Sequence, residues 1–251
     1  MPRAGRKIRQ IMNRNEFDDK TVDRIFVDIS PEIANAAPGL KVIVIEAVVN
    51  NAPSSTAVLE LLETLSDFVS ERFTAISDIN KRPGILGTRE AYKTCGKDPN
   101  RYRPSQEQLS RRVFTGKSLY TVSNVVDVLN YLSVLSGYSI GAFDRDCIEG
   151  DRIVLGIGQH EEPYEGIGRG NINIEGMPVY RDKAGGIGTP TSDNERTKMS
   201  HTTHRLLVCI NVYREDMPIT ETISRAEQLL TSYCNATDIH SRVVSAGITD
   251  H

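Results

Sequence analysis

The sequence predicts an α+β fold, with helices concentrated in the first half of the chain and short strands in the second half. Two observations support this fold class. An amphipathic helical pattern fills 54–79, whereas the apolar runs after Gly137 are short, β-branched and separated by glycines. The chain has 251 residues, of which 39% are hydrophobic, and can therefore bury one large core or two small ones.

Two strands are predicted before the first long helix. The runs IFVDI (25–29) and VIVIEAVV (42–49) are rich in β-branched residues and have prolines close by. The second run is almost continuously apolar. This pattern predicts a strand that is buried on both of its faces.

The first long helix is predicted over 54–79, where apolar residues recur at spacings of three and four. Ser54 or Ser55 is expected to be its N-cap, because a serine side chain can accept a hydrogen bond from the first turn. Pro83 and Gly84 are expected to lie beyond its end, since both residues interrupt helices.

Further helices are predicted from their capping residues. Ser105 opens a second helix, in which Gln108 completes a capping box. Asn124 is expected to cap a third helix and Thr220 the last one. The later apolar runs that are predicted as strands are 153–157, 177–180 and 205–213.

Charge and composition limit the functions that the chain can have. A formal charge of -3 and a pI near 6.0 exclude a general basic field, so nucleic-acid binding requires a local patch. No apolar run approaches the roughly 20 residues that span a bilayer, and no membrane partner is expected. The four cysteines are far apart and form no CxxC pair, which predicts reduced thiols in a cytoplasmic protein. No cofactor and no metal is predicted, because His201 and His204 have no third ligand nearby in the sequence.

A local basic patch is present between residues 89 and 117. Eight basic residues face three acidic ones there, and Tyr92, Tyr102 and Phe114 are interleaved with them. Basic groups pair with phosphates and aromatic rings stack on unpaired bases, so this segment is a candidate RNA-facing surface. The alternative is a solvated pair of helices in which Arg and Tyr anchor a loop. The candidate RNA-binding residues are Arg101, Arg103, Arg111, Arg112 and Lys117.

Two blocks of sequence resemble a known domain. The run SNVVDVLNYLSVLSGYSIGAFDRDCIEG (123–150) is similar to the signature of the B3/B4 domain in the phenylalanyl-tRNA synthetase beta subunit. The run VYRDKAGGIGTPTSDNERTKMSHTTHRLLV (179–208) resembles the later half of the same domain. The similarity is best over 87–213. We expect a basic N-terminal arm at 1–21 and a single B3/B4-like domain over 22–240.

The resemblance implies a three-layer α+β domain, with a β-sandwich of unusual topology flanked by helices. In the synthetase, this domain removes tyrosine that has been wrongly attached to the tRNA. The resemblance also implies catalytic residues Glu195 and Asn124, and a pocket formed by Gly141, Ala142, Asp144, Gly185, Gly186 and Thr203. Editing enzymes often have a histidine where this chain has Gly141, and the absence of that side chain is expected to enlarge the pocket.

Three functions remain open on these observations. In the first, the chain is a trans-editing hydrolase that deacylates mischarged aminoacyl-tRNA. Glu195 would orient the water, Asn124 would fix the substrate, and backbone amides of 185–188 or 141–142 would stabilise the oxyanion. In the second, the chain is a non-catalytic module that binds the tRNA acceptor end or a free amino acid, and not DNA. In the third, the cleft serves a small-molecule enzyme, because a fold does not fix a chemistry.

Overall fold

The structure is a computed structural model, and it describes residues 24–246. These residues form seven α-helices and ten β-strands. The helices are α1 (Pro31–Ala36), α2 (Thr56–Glu63), α3 (Leu65–Arg72), α4 (Pro83–Thr94), α5 (Ser105–Phe114), α6 (Asn124–Ser136) and α7 (Ile219–Cys234). The strands are β1 (Phe26–Ile29), β2 (Lys41–Val48), β3 (Ser139–Asp144), β4 (Arg152–Ile157), β5 (Glu165–Gly166), β6 (Gly170–Asn171), β7 (Pro178–Asp182), β8 (Gly185–Gly188), β9 (Arg205–Val212) and β10 (Thr237–Ser245).

Two four-stranded sheets organise the fold. The first sheet has the order β1-β4-β7-β8, in which β1 and β4 are parallel and the other pairs are antiparallel. The second sheet has the order β10-β2-β9-β3 and is entirely antiparallel. Strands β5 and β6 form a separate short hairpin. Strand β3 is therefore an edge strand of the second sheet.

The two sheets and the helices stack in three layers. Between the sheets, Val27 and Leu155 of the first sheet share one buried cluster with Val44 of the second. On the opposite face of the second sheet, Ile43 and Val208 belong to another cluster, which includes buried residues of α6 and α7. The predicted α+β fold class is therefore confirmed, with the sandwich lying beside a layer of helices.

Strand β2 confirms the prediction of burial on both faces. Six consecutive residues, Val42–Ala47, are buried. Val42 and Val44 face the first sheet, whereas Ile43 and Ile45 face the helices. A continuously apolar strand is required here because both sides of the second sheet are covered.

The helix predicted over 54–79 is wrong in its length. The chain forms α2 and α3 instead, and the break falls at Thr64. The Thr64 hydroxyl donates to the Leu61 carbonyl over 2.7 Å, a local bond that competes with the regular helical pattern. Phe73 ends α3 in an extended conformation.

Pro83 lies beyond the end of α3, as predicted, but it has a second role. It stands in the first turn of α4, a helix that the sequence analysis did not predict. Proline is well suited to this position, because its fixed φ matches the helix and the N–H that it lacks would have no partner there. Gly84 is buried in the same turn, where an added Cβ would lie 2.6 Å from the Gly137 carbonyl oxygen.

Three of the predicted caps are shifted by one or two residues. Pro104 and Pro218 occupy the N-cap positions of α5 and α7, so neither Ser105 nor Thr220 is the cap. Gln108 closes no capping box, since its amide donates to the Arg103 carbonyl. Ser123 caps α6 by accepting from the Val126 amide, and Asn124 is the first residue of that helix.

The predicted end of the domain at residue 240 falls inside β10. That strand pairs with β2 as far as Ser245, which lies opposite Lys41. The arm expected at 1–21 lies outside the described residues, and a single domain over 22–240 stays a prediction. Within 24–246, no helix combines the length and the apolar character needed to cross a bilayer.

Candidate functional site

A cavity of about 380 Å³ opens beside the free edge of β3. Its wall is formed by the exposed face of α6, by β3, by the β5–β6 hairpin and by the loop that follows β8. The apolar lining residues are Val122, Val126, Leu129, Ile140, Ala142, Ile167 and Met199, and the polar ones are Asn130, Asp193 and Lys198. A volume and a lining of this kind suit one small organic group.

The edge position of β3 brings backbone polar groups to the cavity. Ala142 pairs with Val208 of β9, but its N–H points away from that strand and donates to Asp193 Oδ2 over 3.4 Å. An edge strand has one row of amides and carbonyls that no neighbouring strand satisfies. The Ala142 amide therefore connects the second sheet to Asp193, one of the polar residues that line the cavity.

Asp193 is the carboxyl group that lines the cavity. It follows β8 in the chain and reaches back towards β3, where a Cβ at Gly141 would lie 3.4 Å from its Oδ1. Burial raises the pKa of this carboxyl to about 7, against a smaller lowering by the hydrogen bond from Ala142. A solvent-reachable cavity wall thus carries a carboxyl that changes charge near neutral pH.

The β5–β6 hairpin forms one side of the cavity mouth. Ile167 lines the cavity, the Gly168 amide donates to Glu195 Oε1 over 3.0 Å, and Arg169 Nη2 lies 3.4 Å from Gln108 Oε1 of α5. Consecutive residues of the hairpin thus contact the cavity, the loop of Glu195 and α5.

Glu195 lies at this mouth and is engaged with its neighbours. Its Oε2 forms an ion pair with Lys198, which lines the cavity. The pKa of Glu195 is lowered, first by the hydrogen bond from Lys198 and next by that from Gly168. A catalytic role for Glu195 stays a prediction. In this geometry its carboxylate positions Lys198 and the hairpin.

Asn124 does not line the cavity. Its side chain is buried, accepts from the Ala52 amide over 2.9 Å, and donates to the Asn50 and Tyr233 carbonyls over 2.9 and 3.0 Å. The amide therefore joins the start of α6 to the end of α7. These hydrogen bonds give Asn124 a structural role, and its catalytic role stays a prediction.

Thr203 and Asp144 contact each other below the mouth. The Thr203 hydroxyl donates to Asp144 Oδ2 over 2.6 Å, and both side chains are buried. The Ser200 amide donates to Thr203 Oγ1 over 3.0 Å. The pair thereby fixes the segment that carries Lys198 and Met199 against the end of β3.

The expectation that Gly141 enlarges the pocket is not met. A Cβ at Gly141 would point between the sheets and lie 2.8 Å from Phe143 Cζ, so the Phe143 ring already fills that space. Gly185 and Gly186 pair with Asp182 and Arg181 in the first sheet and do not line the cavity. Of the six pocket residues implied by the resemblance, Ala142 is the one that lines it.

The basic segment divides into buried and exposed groups. Glu107 is fully buried, and its carboxylate lies 2.8 Å from Arg89, 2.8 Å from Arg111 and 3.3 Å from Arg103. Arg89 is buried with it, whereas Arg103 and Arg111 use Nε towards Glu107. Within 24–246, no acceptor pairs with the terminal nitrogens of these two arginines, and both side chains reach the surface.

The remaining candidates are Arg101, Arg112 and Lys117. Arg112 of α5 donates to the Ser118 carbonyl, and its guanidinium carbon lies 3.7 Å from the centre of the Tyr120 ring. Lys117 is exposed in the loop after α5. Arg101 is exposed and lies over the Tyr102 ring.

The described residues contain no group of three or more His, Cys, Asp or Glu side chains with metal-binding geometry. His201 and His204 are exposed in the loop before β9. All four cysteines are unpaired, and the pKa values of Cys95, Cys209 and Cys234 are raised by burial.

The fold and cavity define an α+β sandwich with a ligand-sized site at an edge strand. The sequence profile of the B3/4 domain family matches residues 87–235, which is more than half of the chain, and the chain therefore belongs to that family.

Among solved structures, the chain is similar to an N-terminal fragment of the phenylalanyl-tRNA synthetase beta subunit from Pyrococcus horikoshii. The identity is 11% and the TM-score 0.43, over 88% of this chain and 54% of that one. This chain thus spans about half the length of the fragment. Comparison with curated proteins gives no match.

Asp193 was not among the residues singled out in the sequence analysis. It stands in the polar loop before Glu195, and nothing in its immediate sequence reveals burial. The one feature of the sequence that could have indicated Asp193 is its position between the strand that ends at Gly188 and the predicted catalytic Glu195.

Proposed function

We propose that this chain binds the acceptor end of aminoacyl-tRNA and hydrolyses the ester that joins a wrong amino acid to it. The observation that carries this proposal is Asp193, a carboxyl with a pKa raised to about 7 on the wall of an amino-acid-sized cavity. Membership of the B3/4 family and the resemblance of 123–150 and 179–208 to an editing domain support the same activity. Such a role would place the protein in the cytoplasm, where tRNAs are charged.

Asp193 would act as the general base. An aminoacyl ester is already reactive, so the site has to position a water and remove its proton as it attacks the carbonyl carbon. Ionised Asp193 takes that proton and afterwards returns it to the ribose oxygen that leaves. The Ala142 amide, which donates to Asp193 Oδ2, holds the carboxylate in place at the edge of β3.

The cavity lining supports an apolar or mainly apolar amino-acid side chain as the bound group. Seven of its ten lining residues are apolar. Asn130 also lines it, and within 24–246 no partner accepts from or donates to the Asn130 side chain, so the amide is available to the ester carbonyl or the ribose. Lys198, held by Glu195, supplies a positive charge at the mouth that suits the developing oxyanion.

The RNA would follow the exposed side of α5. Arg103 and Arg111 are oriented by Glu107 and their side chains reach the surface, and Arg112 and Lys117 follow them at the end of α5 and in the next loop. Arg169 of the hairpin connects this surface to the cavity mouth. Guanidinium groups held in place in this way suit the phosphates of a nucleic-acid backbone.

A panel of mischarged tRNAs tests the activity. Wild-type protein should release the amino acid from at least one of them, with kcat/KM rising as the pH passes through about 7, because Asp193 has to be ionised. Asp193→Asn should lower kcat/KM by roughly 100-fold or more, since a general base contributes this much. Asp67→Asn, at an exposed position on α3, is the matched control and should be unchanged. The absence of release across the whole panel would overturn the hydrolase.

Binding is tested separately through its salt dependence. Arg112→Gln and Lys117→Gln should each reduce the slope of log K against log salt concentration by about 1, as expected for one lost phosphate contact. Unchanged slopes for both variants would remove α5 from the RNA path.

A non-catalytic binding module is the second candidate. The observation that favours it is that Asn124 is fully engaged inside the fold and Glu195 is ion-paired, so neither residue is free for chemistry. In that case, tRNA binding would show the same salt dependence, and the mischarged panel would stay intact.

A further inference from the structure

Tyr120 is an exposed aromatic residue next to the candidate site. Tyr120 is 73% exposed, more than any other large hydrophobic residue in 24–246. Leu119, the residue before it, is buried and anchors the loop that carries the ring. Single exposed apolar residues are common, so exposure alone indicates no function.

A second observation is that the ring is held in place. The Arg112 guanidinium carbon lies 3.7 Å from the ring centre, and Arg112 Nε donates to the Ser118 carbonyl over 2.6 Å. The guanidinium covers one face of the ring. The high exposure of Tyr120 therefore belongs mainly to the opposite face and the edge.

The third observation is the position of the ring. Val122 is two residues further along the same loop, is 58% exposed and lines the cavity. Arg112 and Lys117 flank the loop, and within 24–246 no carboxylate forms an ion pair with either of them. A polyanion is therefore the partner that the charges around this ring favour.

We propose that Tyr120 and Arg112 form a stacking site for an unpaired nucleobase at the 3′ end of an RNA. The proposal rests on the proposed function, because an ester on the terminal ribose can enter the cavity only if the last unpaired nucleotides are held at its mouth. Aromatic rings stack on any base, so the site selects a single-stranded end rather than a sequence. Arg112 keeps the ring in one orientation and adds a charge close to the backbone phosphates.

The probe for this site is a stem-loop RNA with a four-nucleotide 3′ overhang that carries 2-aminopurine at its last position. The matched probe has the same stem and a blunt end. Tyr120→Leu removes the aromatic face, whereas Tyr120→Phe retains it. Both variants should fold, because the side chain is exposed, and circular dichroism checks that they do.

Wild-type protein and Tyr120→Phe should quench the 2-aminopurine and bind the overhang probe equally well. Tyr120→Leu should bind it roughly 10-fold more weakly, the loss expected for one stacked base, and should leave the fluorescence unquenched. All three proteins should bind the blunt probe alike.

Three results would overturn the stacking site. If Tyr120→Leu matches wild type on the overhang probe while wild type still deacylates tRNA, this site fails and the proposed function stands. An equal loss on both probes would mean that Tyr120 acts on the duplex or on the fold. Failure of wild type to bind either probe at low salt would overturn the site and the RNA-binding part of the proposed function together, and would leave a protein partner for the exposed ring. Quenching without any deacylation would support the stacking site and contradict the hydrolase alone.

Discussion

The ionisation of Asp193 is coupled to the stability of the fold. Burial raises the pKa of its carboxyl to about 7, whereas an unfolded aspartate titrates near 3.9. Between these two values the folded protein holds a proton that the unfolded chain releases. Stability from this group is therefore complete below about pH 4 and is lost as the pH rises towards about 7.

Asp193→Asn should remove this dependence. Wild type should lose on the order of 3 kcal/mol of unfolding free energy between pH 4.5 and pH 8, because its Asp193 pKa is raised from near 3.9 to about 7. The variant should not lose this contribution. Thermal denaturation at the two pH values measures the difference. The same difference for wild type and variant would contradict a raised pKa.

Gly188 has no room for a side chain. An added Cβ would lie 2.5 Å from Cζ of Phe143, whose ring fills the space between the sheets. Gly188→Ala should lower the free energy of unfolding by about 1–3 kcal/mol, the usual cost of overpacking. In a Phe143→Leu background the same substitution should cost less, because the ring is gone. Urea denaturation of the four proteins tests this coupling, and equal costs in both backgrounds would disprove it.

At the scale of single elements, α5 depends on one buried carboxylate. Glu107 is fully buried between Arg89, Arg103 and Arg111. Glu107→Gln should destabilise the protein by about 3–5 kcal/mol, because it leaves buried arginine charge without its partner.

The matched control for this substitution is Glu90→Gln. Glu90 also pairs with an arginine at 2.8 Å, namely Arg214, but both side chains are about half exposed. An exposed pair contributes at most about 1 kcal/mol, so this variant should be close to wild type. If urea denaturation gives similar losses of unfolding free energy for both variants, the burial of Glu107 does not make its ion pairs more stabilising than an exposed pair.

The elements that the sequence predicts best are those with a strong local pattern. The continuous apolar run of β2 predicts a strand directly, and the spaced apolar residues of 54–79 predict helix. Helix α4 was not predicted because Pro83 marks a helix start as well as a helix end, and the sequence alone does not distinguish the two. Thr64 breaks the long helix through one hydroxyl bond, which no periodicity shows.

The candidate site is less predictable than the elements, because it forms from distant parts of the chain. Asp193 contacts Ala142, which is about fifty positions away in the sequence. The fold buries the Asp193 carboxyl, and this burial raises its pKa. The number of basic residues in 89–117 likewise overstates the surface charge, because Arg89 and Lys97 are buried and hydrogen-bonded inside the fold. Ala142 and the basic residues of α5 could be singled out from the sequence, but Asp193 could not.

At the scale of the whole molecule, the two sheets share one buried cluster, while the second sheet also packs on the helices. Strands β2 and β9 are at the centre of both contacts. Their amides should exchange with deuterium most slowly, at rates set by global unfolding, and those of the β5–β6 hairpin should exchange fastest. Hydrogen exchange with mass spectrometry measures both. Faster exchange in β9 than in the edge strand β3 would contradict this order.

The β5–β6 hairpin also gives the protein a place for an optical reporter. Ile167 lines the cavity and residue 169 lies beside α5, so a dye at residue 169 would report on occupancy of either surface without labelled RNA. Cys147 is the exposed cysteine, and burial raises the pKa of the Cys95 thiol to about 11, which makes that thiol slow to react. Cys147→Ser combined with Arg169→Cys would therefore direct a single dye to the hairpin and allow unlabelled candidate ligands to be screened by fluorescence.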